Sequence, residues 1–314
     1  MTTFPRAGSE GTLIYPVFLG MRGCPGRCVY CDQDKLAGSG DFDPEQAVEG
    51  VRKFVERHRG RAKQVAFYGG TFTAWEEHFR EGLLRAVMAV CDVSTSFRIS
   101  THPLYVSDEI LAHCKRWNIR TIELGVQDFN DVVLAASGRG YSGREALEAA
   151  LRVKNQDFEL GVQLMPGLPG WTEASLSENR KVLAELRPHL LRLYPLIVIR
   201  GTALEKLYNS GAYLPLSLEE AVSQCADYHP VAESAGIRII KEGIPSNIDP
   251  AEIAGGPWHP AFGELVKAEL VARKVLAIDP QEQAVNISRD EIRLLKAHGG
   301  AALKKIQDWF ETRS

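Results

Sequence analysis

Six short apolar runs punctuate the first two hundred residues, at Leu13 to Leu19, Gln64 to Tyr68, Phe97 to Thr101, Thr121 to Val126, Phe158 to Met165 and Leu190 to Ile199. Each has the length and composition of a strand. The segments between them repeat their apolar positions at helical spacing. Ala47, Val48, Val51, Phe54 and Val55 follow Asp43, which can cap a helix, and Pro44, which suits its first turn. Ser142 with Glu145 forms a capping box before Ala146, Leu147, Ala150 and Leu151. Ser107 with Asp108 and Glu109 opens a third helix, and Thr172 caps a fourth. Alternating strands and helices are the sign of repeated units around a parallel sheet. Six units are too few to close an eight-fold barrel. The expected fold is therefore α/β, an open, partial (β/α)6 TIM-like barrel, preferred over a doubly wound sheet. Either architecture binds ligands at the carboxyl ends of its strands.

After Arg200 the pattern changes to a helix from Leu216 to Ala235, a short strand from Ile237 to Lys241, and a stretch rich in proline and glycine. That stretch holds Pro245, Pro250, Gly255, Gly256, Pro257 and Pro260 and reads as a boundary or a lid over the barrel mouth. Helices follow, one opened by Ser288 and Glu291 and stopped at Gly299 and Gly300. The expected division is residues 1–243 as the core barrel, with a C-terminal subdomain over about 188–243, and 244–314 as the Pro/Gly-rich segment plus a C-terminal helical extension.

Composition narrows the class. With 45% hydrophobic and 25% charged residues among 314, the chain is of ordinary globular type and not disordered. No run reaches the roughly 18 apolar residues of a membrane span, and Met1 to Gly11 carries no signal-peptide core. A cytoplasmic protein with no membrane partner is expected. A net charge of -3 gives no general attraction for nucleic acid, so RNA is an option that charge does not support. One local run, Arg52, Lys53, Arg57, Arg59, Arg61 and Lys63 against Glu56, reads better as a solvated helix end than as a phosphate contact.

The cysteines supply the chemistry. Cys24, Cys28 and Cys31 crowd into eight residues, whereas Cys91, Cys114 and Cys225 are scattered in apolar or helical surroundings and read as small core side chains. Such crowding points to metal binding rather than a disulfide framework. Gly23, Pro25 and Gly26 oppose a helix, so the loop after the first strand can wrap three sulfurs around one centre. Structural zinc is normally closed by four ligands, whereas three leave a coordination position open for chemistry, and thiolates suit iron-sulfur clusters. Spacing alone leaves two other readings: zinc completed by His102 or His259, and three unligated thiols.

The segment GMRGCPGRCVYCDQ, with CxxxCxxC and Tyr30 before its last cysteine, resembles the signature of the radical S-adenosylmethionine superfamily. The resemblance implies a partial (β/α)6 barrel with a [4Fe-4S] cluster on Cys24, Cys28 and Cys31. Its fourth iron would be chelated by S-adenosylmethionine. It further implies that an electron, from a donor such as flavodoxin or ferredoxin, breaks the sulfonium bond to give a 5'-deoxyadenosyl radical. By the same likeness Tyr68, Gly69, Gly70 and Thr71 in FYGGTFT face the methionine amino group. Ser100 stands where relatives often carry a glutamate. Gln127 would face the ribose, and Arg139 the carboxylate. Relatives often have histidine where Tyr141 stands. Gln163 would meet the ribose, and the backbone near Leu164 and Met165 the adenine. Glu123 reads equally as a buried polar partner or a site residue, and His102 more readily as a loop histidine.

ELGVQ, GRGYS, MPGLPG and RLYPLIVIRGTALEKLYNSGAYLPLSLEEAV together resemble the radical domain of the elongator catalytic subunit, over about residues 11 to 242. The first four strands are also similar in part to oxygen-independent coproporphyrinogen oxidase. The residues after Ile244 are too few to hold the elongator subunit's acetyltransferase domain. The expected function is a radical S-adenosylmethionine enzyme acting on an unidentified substrate. The alternatives are a tRNA-modifying radical enzyme, and a non-enzymatic iron-sulfur or zinc redox-sensing protein.

Overall fold

The computed structural model describes residues 11–20, 23, 24, 26, 28–32, 42–244, 248–277 and 287–311. Seven parallel strands form one sheet: β1 (Leu13–Phe18), β2 (Lys63–Tyr68), β3 (Thr95–Thr101), β4 (Ile119–Gln127), β5 (Glu159–Leu164), β6 (Leu190–Leu193) and β8 (Arg238–Glu242). Neighbours follow chain order except that β8 pairs with β6. The first six strands match the apolar runs, and helices between them cover the outer face. Five of the six β2 residues are buried, as expected where helices cover one face and barrel side chains the other. The sheet is an open, partial TIM-like barrel with a helical C-terminal region.

The caps act as the sequence suggests. Asp43 accepts from the Glu45 and Gln46 amides at the start of Pro44–Arg57. Ser142, Thr172 and Ser288 each complete a reciprocal capping box. Each such cap is worth about 1 kcal/mol.

Three expectations change. The run Leu190 to Ile199 is two strands, because its chain leaves the sheet after Leu193, and β7 (Val198–Ile199) pairs antiparallel with β9 (Ile253–Gly255) in the Pro/Gly-rich stretch. The short strand near Ile237 joins the main sheet as its seventh member. The helix expected over Leu216 to Ala235 is two, Leu218–Asp227 and His229–Ala235, breaking at Tyr228 just before Pro230, which has no amide to donate. Pro25, Pro245 and residues 1–10 lie outside the described residues.

The basic run sits away from the strands' carboxyl ends, on a helix C-terminus and the start of β2. Arg52 and Lys53 pair with Glu49 at 3.1 and 3.6 Å, and Lys63 is buried against Asp92 at 2.8 Å. Cys114 and Cys225 are buried, Cys91 packs partly buried against the core, and none is in a disulfide. Among the described residues, no helix is long and apolar enough to cross a membrane.

Candidate active site

The carboxyl ends of the strands open on one cavity of about 420 Å3. β1 leads into the cysteine loop, and Cys24, Cys28 and Cys31 line one wall together with Tyr30. Tyr68, Gly69, Gly70 and Thr71 follow from the end of β2, Ser100 from β3, Gln127 and Arg139 from β4 and the turn beyond it, and Gln163 and Met165 from β5. Leu164 differs, because strand alternation turns its side chain into the hydrophobic core. Its carbonyl accepts from the Tyr194 amide at 2.9 Å, and the Met165 amide donates to the Gln127 carbonyl at 2.8 Å.

The turn after β2 needs its glycines. Gly69 has φ +94°, and a Cβ there would lie 2.4 Å from the Gly20 carbonyl oxygen. That contact ties β2's end to the approach of the cysteine loop. Thr71 Oγ1 lies 3.6 Å from Cys24 Sγ.

Arg139 is the main polar contact of the cysteine wall. It donates to Cys28 Sγ at 3.0 Å, the Tyr30 hydroxyl at 3.4 Å, the Gly125 carbonyl at 2.6 Å and the Tyr141 hydroxyl at 3.0 Å. Tyr141 in turn donates to the Val126 carbonyl at 2.6 Å, so it aims the guanidinium. Burial, then the Cys28 and Cys24 thiolates, pushes the Cys31 thiol up to about 12, and burial also raises Cys24. With their thiols raised by burial, Cys24 and Cys31 stay neutral at ordinary pH, and a bound cation is what would draw them to thiolate. His102 is driven down to about 4 by burial and then by Arg139, and its Nδ1 accepts from the Leu104 amide at 3.3 Å. That ring lines the cavity in neutral form. His259 is used elsewhere, its Nδ1 accepting from the Ala261 amide.

Glu123 stands at the base, fully buried. It accepts from Arg98 at 2.7 Å, Tyr68 at 3.2 Å, Gln163 at 3.0 Å, and twice from Arg192. Burial alone would raise its carboxyl, yet Arg192 and Arg98 hold it below the usual range. Gly161 on the next strand makes room, since a Cβ there would meet Glu123 Cγ at 2.9 Å. Glu123 is thus a buried polar partner that sets Tyr68, Gln163 and Arg192. Ser100 joins through Gln163 at 3.2 Å.

Arg192, Tyr194 and Lys241 also line the cavity and were not singled out from sequence. The available signal was a charge alternating with leucines in LRL, and a lysine in phase with it on a neighbouring short strand.

The arrangement fits a thiolate-held metal group beside a polar ligand. Gln127 has φ +69° and a buried Oε1 with no hydrogen-bond partner, an acceptor left for something in the cavity. Among the described residues, the one set of His, Cys, Asp or Glu ligand atoms that gathers within 4.8 Å is Glu77, Glu81 and His113, so the three cysteines are spread wider than a single tetrahedral ion requires. A cubane meets its ligands at separate corners and so does not require the three thiols to converge on one ion.

A partial parallel barrel with a three-thiol loop facing a cavity at the strands' carboxyl ends, with Arg139 and Gln127 beside the thiols, is the frame of an enzyme that can hold a metallocluster. The model of the radical SAM superfamily matches residues 18–183, and that of the Radical_SAM C-terminal domain matches 188–272. The chain belongs to the radical S-adenosylmethionine superfamily, whose enzymes use a [4Fe-4S] cluster and S-adenosylmethionine. A tRNA uridine(34) acetyltransferase of Methanocaldococcus infernus is 23% identical over 82% of this chain and 56% of its own length. An uncharacterized protein of Methanocaldococcus jannaschii is 26% identical over 74% of this chain and 76% of its own. The solved structure of Methanocaldococcus infernus Elp3 with an N-terminal deletion superposes with TM-score 0.63 at 21% identity, covering 82% of this chain and 62% of that one, which shows a shared fold. The chain thus spans a little over half the length of that acetyltransferase.

Proposed function

We propose that this chain cleaves S-adenosylmethionine reductively on a cluster held by Cys24, Cys28 and Cys31, and uses the product to take a hydrogen atom from a second substrate. Cys24, Cys28 and Cys31 would hold the cluster, which would supply one electron, drawn from a donor such as flavodoxin or ferredoxin, for breaking the sulfonium bond into methionine and a 5'-deoxyadenosyl radical. The chain's own residues bind and orient. Arg139, aimed by Tyr141, brings its positive charge to the methionine carboxylate, with an Nη2 hydrogen left over from the Gly125 carbonyl to donate. The turn at Gly69 and Gly70 admits the amino group, with Tyr68, Thr71 and Ser100 nearby. Gln127 and Gln163 take ribose hydroxyls, and the backbone about Leu164 and Met165 edges the adenine, with Tyr30 packed behind the last cysteine. The supporting observation is that the three thiols, Arg139 and the unpartnered Gln127 oxygen share one cavity.

The test is anaerobic reconstitution, reduction and addition of S-adenosylmethionine, with 5'-deoxyadenosine as readout. Wild type makes it, and Cys28→Ala makes none above background. A wild type that binds iron yet yields no 5'-deoxyadenosine ends this reading.

A second reading, RNA as the other substrate, is favoured by the name of the acetyltransferase that aligns with 82% of this chain. It requires tRNA binding that weakens steeply with salt, and salt-independent or undetectable binding removes it.

A further inference from the structure

Across the cavity from the cysteines stands a wall made by β6 and β8. Arg192 and Lys241 are register partners there, and both line the cavity. Their charges are not equivalent. Arg192 is compensated by Glu123, and Arg98 is shared between Glu123 and Glu159, which lies 3.6 Å from it. Both guanidiniums are thus held by carboxylates, and Glu159 also meets Arg238 at 3.7 Å. The Lys241 ammonium makes no side-chain hydrogen bond or ion pair to any described residue. The next residue, Glu242, is engaged by His229 at 2.9 Å and does not line the cavity. Among the described residues the cavity lining contains no aspartate or glutamate at all.

Lys241 is half-buried, with Ile197, Ile199, Ile244 and Ile248 also lining the cavity. A cation beside apolar side chains loses hydration and attracts an anion more strongly than a solvated one does. The cofactor pair does not account for it, because Arg139, at the cysteine wall, already meets the methionine carboxylate in the reading above. The Arg192 guanidinium is spent on Glu123, Tyr68 and Tyr194, which leaves it a positioned neighbour and not a free charge.

We infer that the wall formed by β6 and β8 is a subsite for the carboxylate or phosphate of a small second substrate, with Lys241 as its specificity-determining charge. The inference rests on the radical reading for what is done to that substrate, and on the charge arrangement alone for the binding. A lysine ammonium, a compact charge with three donors, suits either anion. The substrate is an anion whose apolar part lies against the isoleucines, within reach of the cysteine wall.

The experiment titrates inorganic phosphate and, separately, acetate into anaerobically reconstituted wild type, Lys241→Ala, Lys241→Met and Lys241→Arg, by calorimetry at constant ionic strength. Loss of one charge-assisted hydrogen bond predicts affinity weaker by about ten-fold or more in the alanine and methionine variants, with arginine retaining most of it. Stronger phosphate than acetate binding in wild type assigns a phosphorylated substrate, and the reverse a carboxylated one. Thermal unfolding establishes that each variant is folded, and the methionine variant keeps the lysine's bulk if alanine collapses the wall. Equal affinity in wild type and in Lys241→Met, or no binding of either anion by wild type, overturns the subsite. A wild type that shows Lys241-dependent binding yet makes no 5'-deoxyadenosine sinks the radical reading and leaves the subsite standing.

Discussion

Glu123 beneath the cavity receives hydrogen bonds from Arg98, Arg192, Tyr68 and Gln163, while the sulfurs on the wall beside it meet Thr71, Arg139 and Tyr30. The base is finished by the protein itself: every oxygen of its carboxylate is satisfied, and the side chains it fixes come from β2, β3, β5 and β6. The cysteine wall engages its sulfurs far more sparsely, as suits groups that give lone pairs to a metal. One half of the site is rigid before any ligand arrives, and the other is completed by one. The rigid half serves the second by holding Tyr68 and Gln163 at the positions from which they face the cavity.

The sharpest way to break this contrast is to remove Glu123. Glu123→Ala leaves Arg98 and Arg192 without their principal buried counter-charge, and loss of one partner of such a pair costs about 3–5 kcal/mol. Urea unfolding of the metal-free protein measures it. Cys28→Ala, measured likewise, is expected to cost less than about 1 kcal/mol, since it deletes one sulfur from a half-exposed loop. Similar losses for the two variants would mean that the walls are built alike.

A smaller effect tests the joint between the halves. Gly69→Ala puts a methyl 2.4 Å from the Gly20 oxygen at φ +94°. Strain and overpacking together cost about 3 kcal/mol. Because Gly20 leads into the cysteine loop, iron content after reconstitution is expected to fall too. Full iron loading with reduced stability would show that the loop is placed independently of the β2 turn.

How far sequence reaches follows the same division. The strands, their caps and the cysteine spacing are local signals, FYGGTFT stands at the end of an apolar run, and Gln127 and Arg139 were picked out only through the family resemblance; the fold brings them to the same cavity as the cysteines. Glu123 remained ambiguous because its partners, Arg98 and Arg192, lie 25 and 69 positions away, and only the sheet brings them together. The break in Leu190 to Ile199 was hidden for a related reason. Leu196, Ile197, Val198 and Ile199 stay buried after the chain leaves the main sheet, so hydropathy shows one run where there are two strands. Lys241 shares its phase with the charge in LRL, but that phase acquires meaning only when β8 places it beside Arg192.

The smallest predicted effect concerns Asp128, which follows the strained Gln127 and ties the end of β4 to the helix Glu173–Leu186. It is 1% exposed, its Oδ1 accepts from the Asn130 amide at 2.7 Å, and its Oδ2 accepts from Asn179 at 2.9 Å. Burial outweighs those bonds and raises its carboxyl from the ordinary 3.8 to about 6. Between those two values the folded chain holds a proton that the unfolded chain has released. Stability conferred by this group is therefore complete below about pH 4 and is lost as pH rises through 6, with a slope approaching about 1 kcal/mol per pH unit. Asp128→Asn cannot ionise, so its urea midpoint should lack that component between pH 4 and 6, whatever its absolute stability. Cys28→Ala should keep it, because the slope belongs to the β4 side of the cavity and not to the thiols. An unchanged slope in Asp128→Asn would place the titration elsewhere and remove Asp128 from the account of how β4 holds Gln127.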